Sequence, residues 1–67
     1  MEVSINQQSI TIIDACPLQW VMDQRGFSST RGIAVAVNDA VIPRNAWAEY
    51  TLQQHDKIII IRATQGG

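Results

Sequence analysis

The sequence is short of nearly everything that marks a secreted, membrane-bound or catalytic protein. Its single cysteine, Cys16, excludes an intramolecular disulfide framework. One cysteine with one histidine, His55, falls short of the four ligands of a structural zinc site. Lysine occurs once, at Lys57, and five Lys+Arg against six Asp+Glu leave a formal charge of -1, which offers no electrostatic footprint to nucleic acid or to an anionic membrane face. The apolar runs Ile33–Val37 and Ile58–Ile61 are far below the ~20 residues of a membrane span. The start Met1-Glu2-Val3-Ser4 lacks the basic and apolar regions of a secretion signal, so the expected location is the cytoplasm. A Gly-rich phosphate loop is absent as well. With 67 residues the chain makes one domain, too small to enclose a deep cleft and also position several catalytic groups. The expectation is a carrier, adaptor or binding module whose function lies in a surface or a terminus.

What is present is enough apolar content, 46%, for one core, arranged with readable periods. Glu2 to Asn6 and Ser9 to Ile12 alternate apolar and polar around Asn6-Gln7-Gln8, which predicts an N-terminal β-hairpin. Pro17 suits a first helical position, Leu18, Val21 and Met22 share a helical face, and Gly26 stops the helix. Trp20 then points to the opposite side. Ile33–Val37 is a nearly all-apolar run of the kind a strand makes when both its faces are covered, and predicts a central strand. Ala40 to Gln54 has no clean period and Pro43 within it; it reads as irregular, with one short helical turn at Asn45 to Tyr50. Lys57 to Arg62 is the strongest strand.

Hairpin, helix, strand, irregular segment and strand give an α+β layer architecture, with the helix as a crossover that makes a middle pairing parallel. This is the β-grasp arrangement: a four- to five-stranded mixed sheet on one main helix. Residues 1–63 form the domain, and residues 64–67 form a flexible C-terminal tail ending in the diglycine Gly66-Gly67. A ferredoxin-like fold would need a second full helix where the chain offers only the Pro43-interrupted stretch.

The tail is the strongest chemical candidate. Two glycines without Cβ atoms thread a narrow channel, so the Gly67 carboxylate can reach another protein's reactive centre. A carboxylate is a poor electrophile, and conversion to an acyl-adenylate supplies a good leaving group. With no phosphate cradle of its own, the chain implies ATP consumed by an activating partner and no cofactor bound; it would be a substrate, not a catalyst. Trp20 is either packed against a loop or exposed as a partner anchor, and Arg62 lies close enough to the tail to touch whatever grips it. Cys16 beside the helix start could carry a depressed thiol pKa, although a small capping-region residue is the simpler reading. His55 reads as a solvated turn residue. Arg44, Trp47 and Tyr50 fold the irregular segment onto the sheet edge, while Arg31, Arg62 and Lys57 read as a solvated scatter.

Ala34-Val35-Ala36-Val37-Asn38, Val41-Ile42-Pro43-Arg44 with Trp47, Asp56-Lys57-Ile58 and the terminal Gly66-Gly67 together resemble the sulfur carrier proteins of thiamine biosynthesis over the whole chain. The resemblance implies a ubiquitin-like β-grasp fold. It implies that the Gly67 carboxylate is adenylated by a ubiquitin-activating-type adenylyltransferase and converted to a thiocarboxylate. A sulfur-donating enzyme and thiazole synthase would be the further partners, the sulfur ending in the thiazole ring of thiamine. Members of that family commonly have Gly where this chain has Gln7 and His55, which concerns turn geometry and not the tail. The small subunit of molybdopterin synthase shares the carrier chemistry with a different acceptor. A ubiquitin-like modifier is another reading, for which the single lysine Lys57 disfavours polymeric chains but not single attachment, and an inert-tailed binding module is a third.

Overall fold

A computed structural model describes residues 1–27 and 32–62. The strands are β1 (Glu2–Ile5), β2 (Gln8–Thr11), β3 (Ile33–Val37), β4 (Ala40–Ile42) and β5 (Lys57–Arg62), and the helix α1 (Leu18–Gln24) lies between β2 and β3. They form one five-stranded sheet in the order β2-β1-β5-β3-β4. Both hairpins close through two-residue turns in which each central residue has positive φ: Asn6 and Gln7 at 49° and 70°, Asn38 and Asp39 at 50° and 72°. That is the type I′ geometry whose twist matches the flanking strands. A parallel pairing lies in the middle of the sheet, but it joins the first and last strands, Ser4 opposite Lys57 and Ile5 opposite Ile58, whereas β3, the strand that follows the helix, pairs antiparallel on both sides. Past the end of β1 the parallel pairing is extended by a side chain, Asn6 Oδ1 accepting from the Ile60 amide at 2.8 Å.

One expectation is borne out by the sheet and one is corrected. β3 is an interior strand, between β5 at the centre and the edge strand β4. It is, however, covered on one face only: Val35 and Val37 are buried, whereas Ala34 is exposed and Ala36 half-buried. Alanine at the outward positions conceals the period of two, because it is apolar yet loses little by facing water. The isoleucine run of β5 alternates likewise, Ile58 fully buried and Ile61 54% exposed.

The apolar face of α1, Leu18, Val21 and Met22, packs with Val3, Ile5, Val35, Val37 and Ile58 of the sheet into one core. Pro17, expected inside the first turn, is the N-cap instead, with extended ψ of 146°. The exposed amides of the first turn are satisfied by the segment that the sequence left irregular: Leu18 N–H donates to Tyr50 O at 2.8 Å and Gln19 N–H to Trp47 O at 3.0 Å. At the other end Gly26 adopts φ 79°, Gly26 N–H donates to Asp23 O and Phe27 N–H to Met22 O. This paired closure is the Schellman arrangement, which needs a left-handed residue at Gly26.

Between Ala40 and Gln54 the chain is more regular than expected. It contains the three-residue strand β4 and a 3-10 helix at Arg44–Ala46, starting one residue before the predicted turn. A strand of three residues is too short to display a period, and Pro43 ends it. Trp47 is the side chain that folds this segment inward: it is 1% exposed, its Nε1 donates to Ile42 O at 3.0 Å, and the Arg44 guanidinium carbon stands 4.7 Å from its ring centroid. Tyr50 is half-buried against the same core.

Candidate functional site

The site is built around the strand that leads to the C-terminus. At the start of β5, Asp56 is 8% exposed and accepts from Asn38 Nδ2 at 2.9 Å and from the Gln53 amide at 2.8 Å. Asn38 Oδ1 in turn accepts from the Lys57 amide at 3.0 Å, so the β3–β4 turn and the start of β5 are locked together. His55, just before, has φ 69° and donates its amide to Glu2 O at 2.7 Å. β5 then runs between β1 and β3 and reaches Arg62, whose guanidinium carbon lies 5.6 Å from the Phe27 ring centroid. Ladder bonds on both sides hold β5 inside the sheet, a firm base for whatever follows it.

Gly66 and Gly67 lie outside the described residues, as does Arg31. Five residues follow Arg62, so the Gly67 carboxylate can stand up to about 17 Å beyond it. Of the two candidate partner contacts, Arg62 is exposed at the end of β5, and Trp20 is 41% exposed on the outer side of α1. The loop weighed as a packing partner for Trp20, residues 27–32, lies mostly outside the described residues. Cys16 is different: it is fully buried, its Sγ–H faces Pro17 O at 3.5 Å, and burial pushes the thiol pKa up. Burial outweighs any help from a short helix, and the depressed thiol does not materialise. His55 is exposed in its turn, as expected. No group of three or more potential metal ligands exists among the described residues.

Sequence reasoning missed the face opposite α1. There Ala34 is exposed opposite Ile61, and Ala36 stands opposite Ile59 on one side and Val41 on the other. Val41 is 70% exposed and Ile61 54%. The signal was in the sequence: four isoleucines in an extended strand must present alternate members to each face. The Asn38–Asp56 latch was likewise hidden, because its partners stand eighteen residues apart in the chain.

A five-stranded mixed sheet closed by one helix, with the strands β1 and β5 paired in parallel at its middle, defines a ubiquitin-like β-grasp domain. The ThiS family model matches residues 3–67, and the chain belongs to that family, the sulfur carriers of thiamine biosynthesis. It is similar to the sulfur carrier protein ThiS of Escherichia coli (strain K12), at 25% identity over 67 residues and the full length of both chains. Among solved structures, it resembles the crystal structure of a thiamine biosynthesis protein (ThiS) from Geobacter metallireducens with a TM-score of 0.84, at 17% identity over all of both chains. The solution structure of a thiamine biosynthesis protein from the same organism has a TM-score of 0.75 at 19% identity, covering all of this chain and 88% of that one. These structural likenesses support the fold; the family assignment rests on the sequence.

Proposed function

We propose that this sulfur carrier works through its last residue: a partner adenylates the Gly67 carboxylate with ATP, and the acyl-adenylate is converted to a thiocarboxylate that donates sulfur to the forming thiazole ring. The observation that carries this reading is a family match that runs from residue 3 through Gly66-Gly67. The chemistry fits the residues. Adenylation replaces an oxide leaving group by AMP, and a sulfur nucleophile then takes its place, expelling AMP. A thiocarboxylate sulfur is a far better nucleophile than a carboxylate oxygen, and its attachment to a protein keeps free sulfide out of solution.

The activating adenylyltransferase, a sulfur-donating enzyme and thiazole synthase are the partners of this proposal. An enzyme that holds Gly67 stands within about 17 Å of Arg62, which brings the exposed Val41 and Ile61 within its footprint. Such apolar contacts, with Arg62 at the rim, are the partner-facing features of the sheet, and Trp20 is a second anchor on the helix side. Dependence on ATP supports a cytoplasmic setting; among the described residues, no helix is long and apolar enough to cross a membrane.

The test is the intact mass of the chain after incubation with ATP, the activating enzyme and a sulfur source. Replacement of one oxygen by one sulfur at Gly67 is the expected result. An unchanged mass, with the enzyme shown to be active on another carrier, would overturn the proposal.

A further inference from the structure

Lys57 is the sole lysine of the chain, and the structure isolates it as the one amine available for acylation. The other amine, at Met1, donates to the Ile12 carbonyl and is paired with Asp14 at 3.2 Å. The other strong nucleophile, the Cys16 thiol, is fully buried. Lys57, by contrast, is exposed, and no acidic side chain pairs with it among the described residues. Its strand position sets it directly opposite Ser4 across the parallel pairing. There it lines two adjoining depressions, one of about 200 Å³ shared with Glu2, Ser9 and His55, the other of about 360 Å³ shared with Gln7, Asp39 and Ile59. Each has room for an extended diglycine segment, whose lack of side chains lets it lie close to the backbone.

We propose that Lys57 is an acceptor site for the activated C-terminus of a second copy of this chain. The inference rests on the activation proposed above for Gly67. The geometry favours a second copy over the chain's own tail: Lys57 is five residues back along an extended strand, roughly 17 Å from Arg62, and the five residues beyond Arg62 would spend part of their length on the reversal. In the reaction the neutral Lys57 amine attacks the Gly67 carbonyl carbon of the adenylate. A C–N bond forms, the C–O bond to phosphate breaks, AMP leaves, and the displaced amine proton passes to water or to the His55 imidazole on the same depression. The product is an isopeptide-linked pair of chains. It forms when the sulfur nucleophile is scarce, so Lys57 sets a defined alternative fate for activated carrier.

The test separates this site from the activation step. A donor copy carrying K57R, and so blocked as an acceptor, is prepared as a C-terminal thioester and mixed with wild-type acceptor at mildly alkaline pH. Here the C–S bond breaks and the thiol leaves, and no activating enzyme is needed. The expected product is a covalent dimer that trypsin converts to a peptide of residues 45–62 bearing residues 63–67 on Lys57. K57R in the acceptor lowers dimer formation at least about tenfold, and transfer to Lys57 exceeds transfer to Nα-acetyl-lysine amide at equal concentration by about as much. Linkage at Met1, a dimer retained in the K57R acceptor, or transfer no faster than to the free lysine derivative would each overturn the site. Failure of pyrophosphate release with ATP and the activating enzyme would count against the activation of Gly67, independently of the thioester result.

Discussion

Replacing Gln7 by glycine should stabilise this domain, and the turn geometry gives the size of the effect. Gln7 is the second central residue of the β1–β2 turn, with φ 70°, and its side chain is exposed. A residue with a Cβ pays about 1–2 kcal/mol in this left-handed region. Glycine removes that cost but loses more backbone entropy on folding, ~0.5–1 kcal/mol. The net gain is about 0.5–1 kcal/mol, and the turn acquires the asparagine–glycine pair that type I′ geometry favours most. For a domain of this size that corresponds to a rise in Tm of about 4 °C. The assay is thermal unfolding by circular dichroism, with Gln8→Gly in the adjoining extended strand as the control, where glycine should destabilise. His55, at φ 69° and exposed, predicts a gain of the same sign for His55→Gly. A Gln7→Gly protein that melts at or below the parent temperature would refute the argument that strain at this turn is relieved by loss of the Cβ.

The latch at the start of β5 predicts that Asp56→Ala costs about 3 kcal/mol in chemical denaturation, because two hydrogen bonds to a buried carboxylate are lost and their donors left unpaired. A cost below about 1 kcal/mol would show that the latch is incidental. Burial of Cys16 raises its thiol pKa in the folded state, so the unfolded chain releases its proton first; stability is complete below the ordinary thiol value of ~8.5 and declines as pH rises above it. Cys16→Ala should flatten that alkaline decline, seen as a series of denaturant midpoints, and an unchanged slope would contradict the assignment. Trp20→Ala should weaken binding to the activating enzyme or thiazole synthase by at least about 1 kcal/mol with little change in Tm, whereas unchanged binding with a lower Tm would make Trp20 a packing residue.

Much of the architecture was legible because the periods are clean. The alternation of Glu2 to Ile12 pointed to the first hairpin, and the spacing of Leu18, Val21 and Met22 to the buried helix face. Where reading failed, the cause was physical. Alanines at outward positions of β3 made a one-sided strand look two-sided, and the three residues of β4 were too few to show a pattern. The segment 43–52 looked irregular because its order comes from elsewhere: Trp47 enters a core assembled by distant strands, and the carbonyls of Trp47 and Tyr50 cap a helix that lies far earlier in the chain. The turns at Gln7 and His55, where glycine was the family habit, do adopt the positive φ that glycine would ease, so the substitution cost was visible in the sequence before the geometry was. The proposed reactive end, Gly66-Gly67, lies outside the described residues.

The central claim is that Gly67 carries the sulfur, and the most direct test compares the full chain with a chain lacking Gly67. Both are incubated with ATP, the activating enzyme and a sulfur source, and both are weighed intact and checked for an unchanged melting curve. The account predicts one sulfur in place of one oxygen on the full chain and none on the shortened chain, with the fold intact in both. Equal sulfur incorporation in the two chains would contradict it.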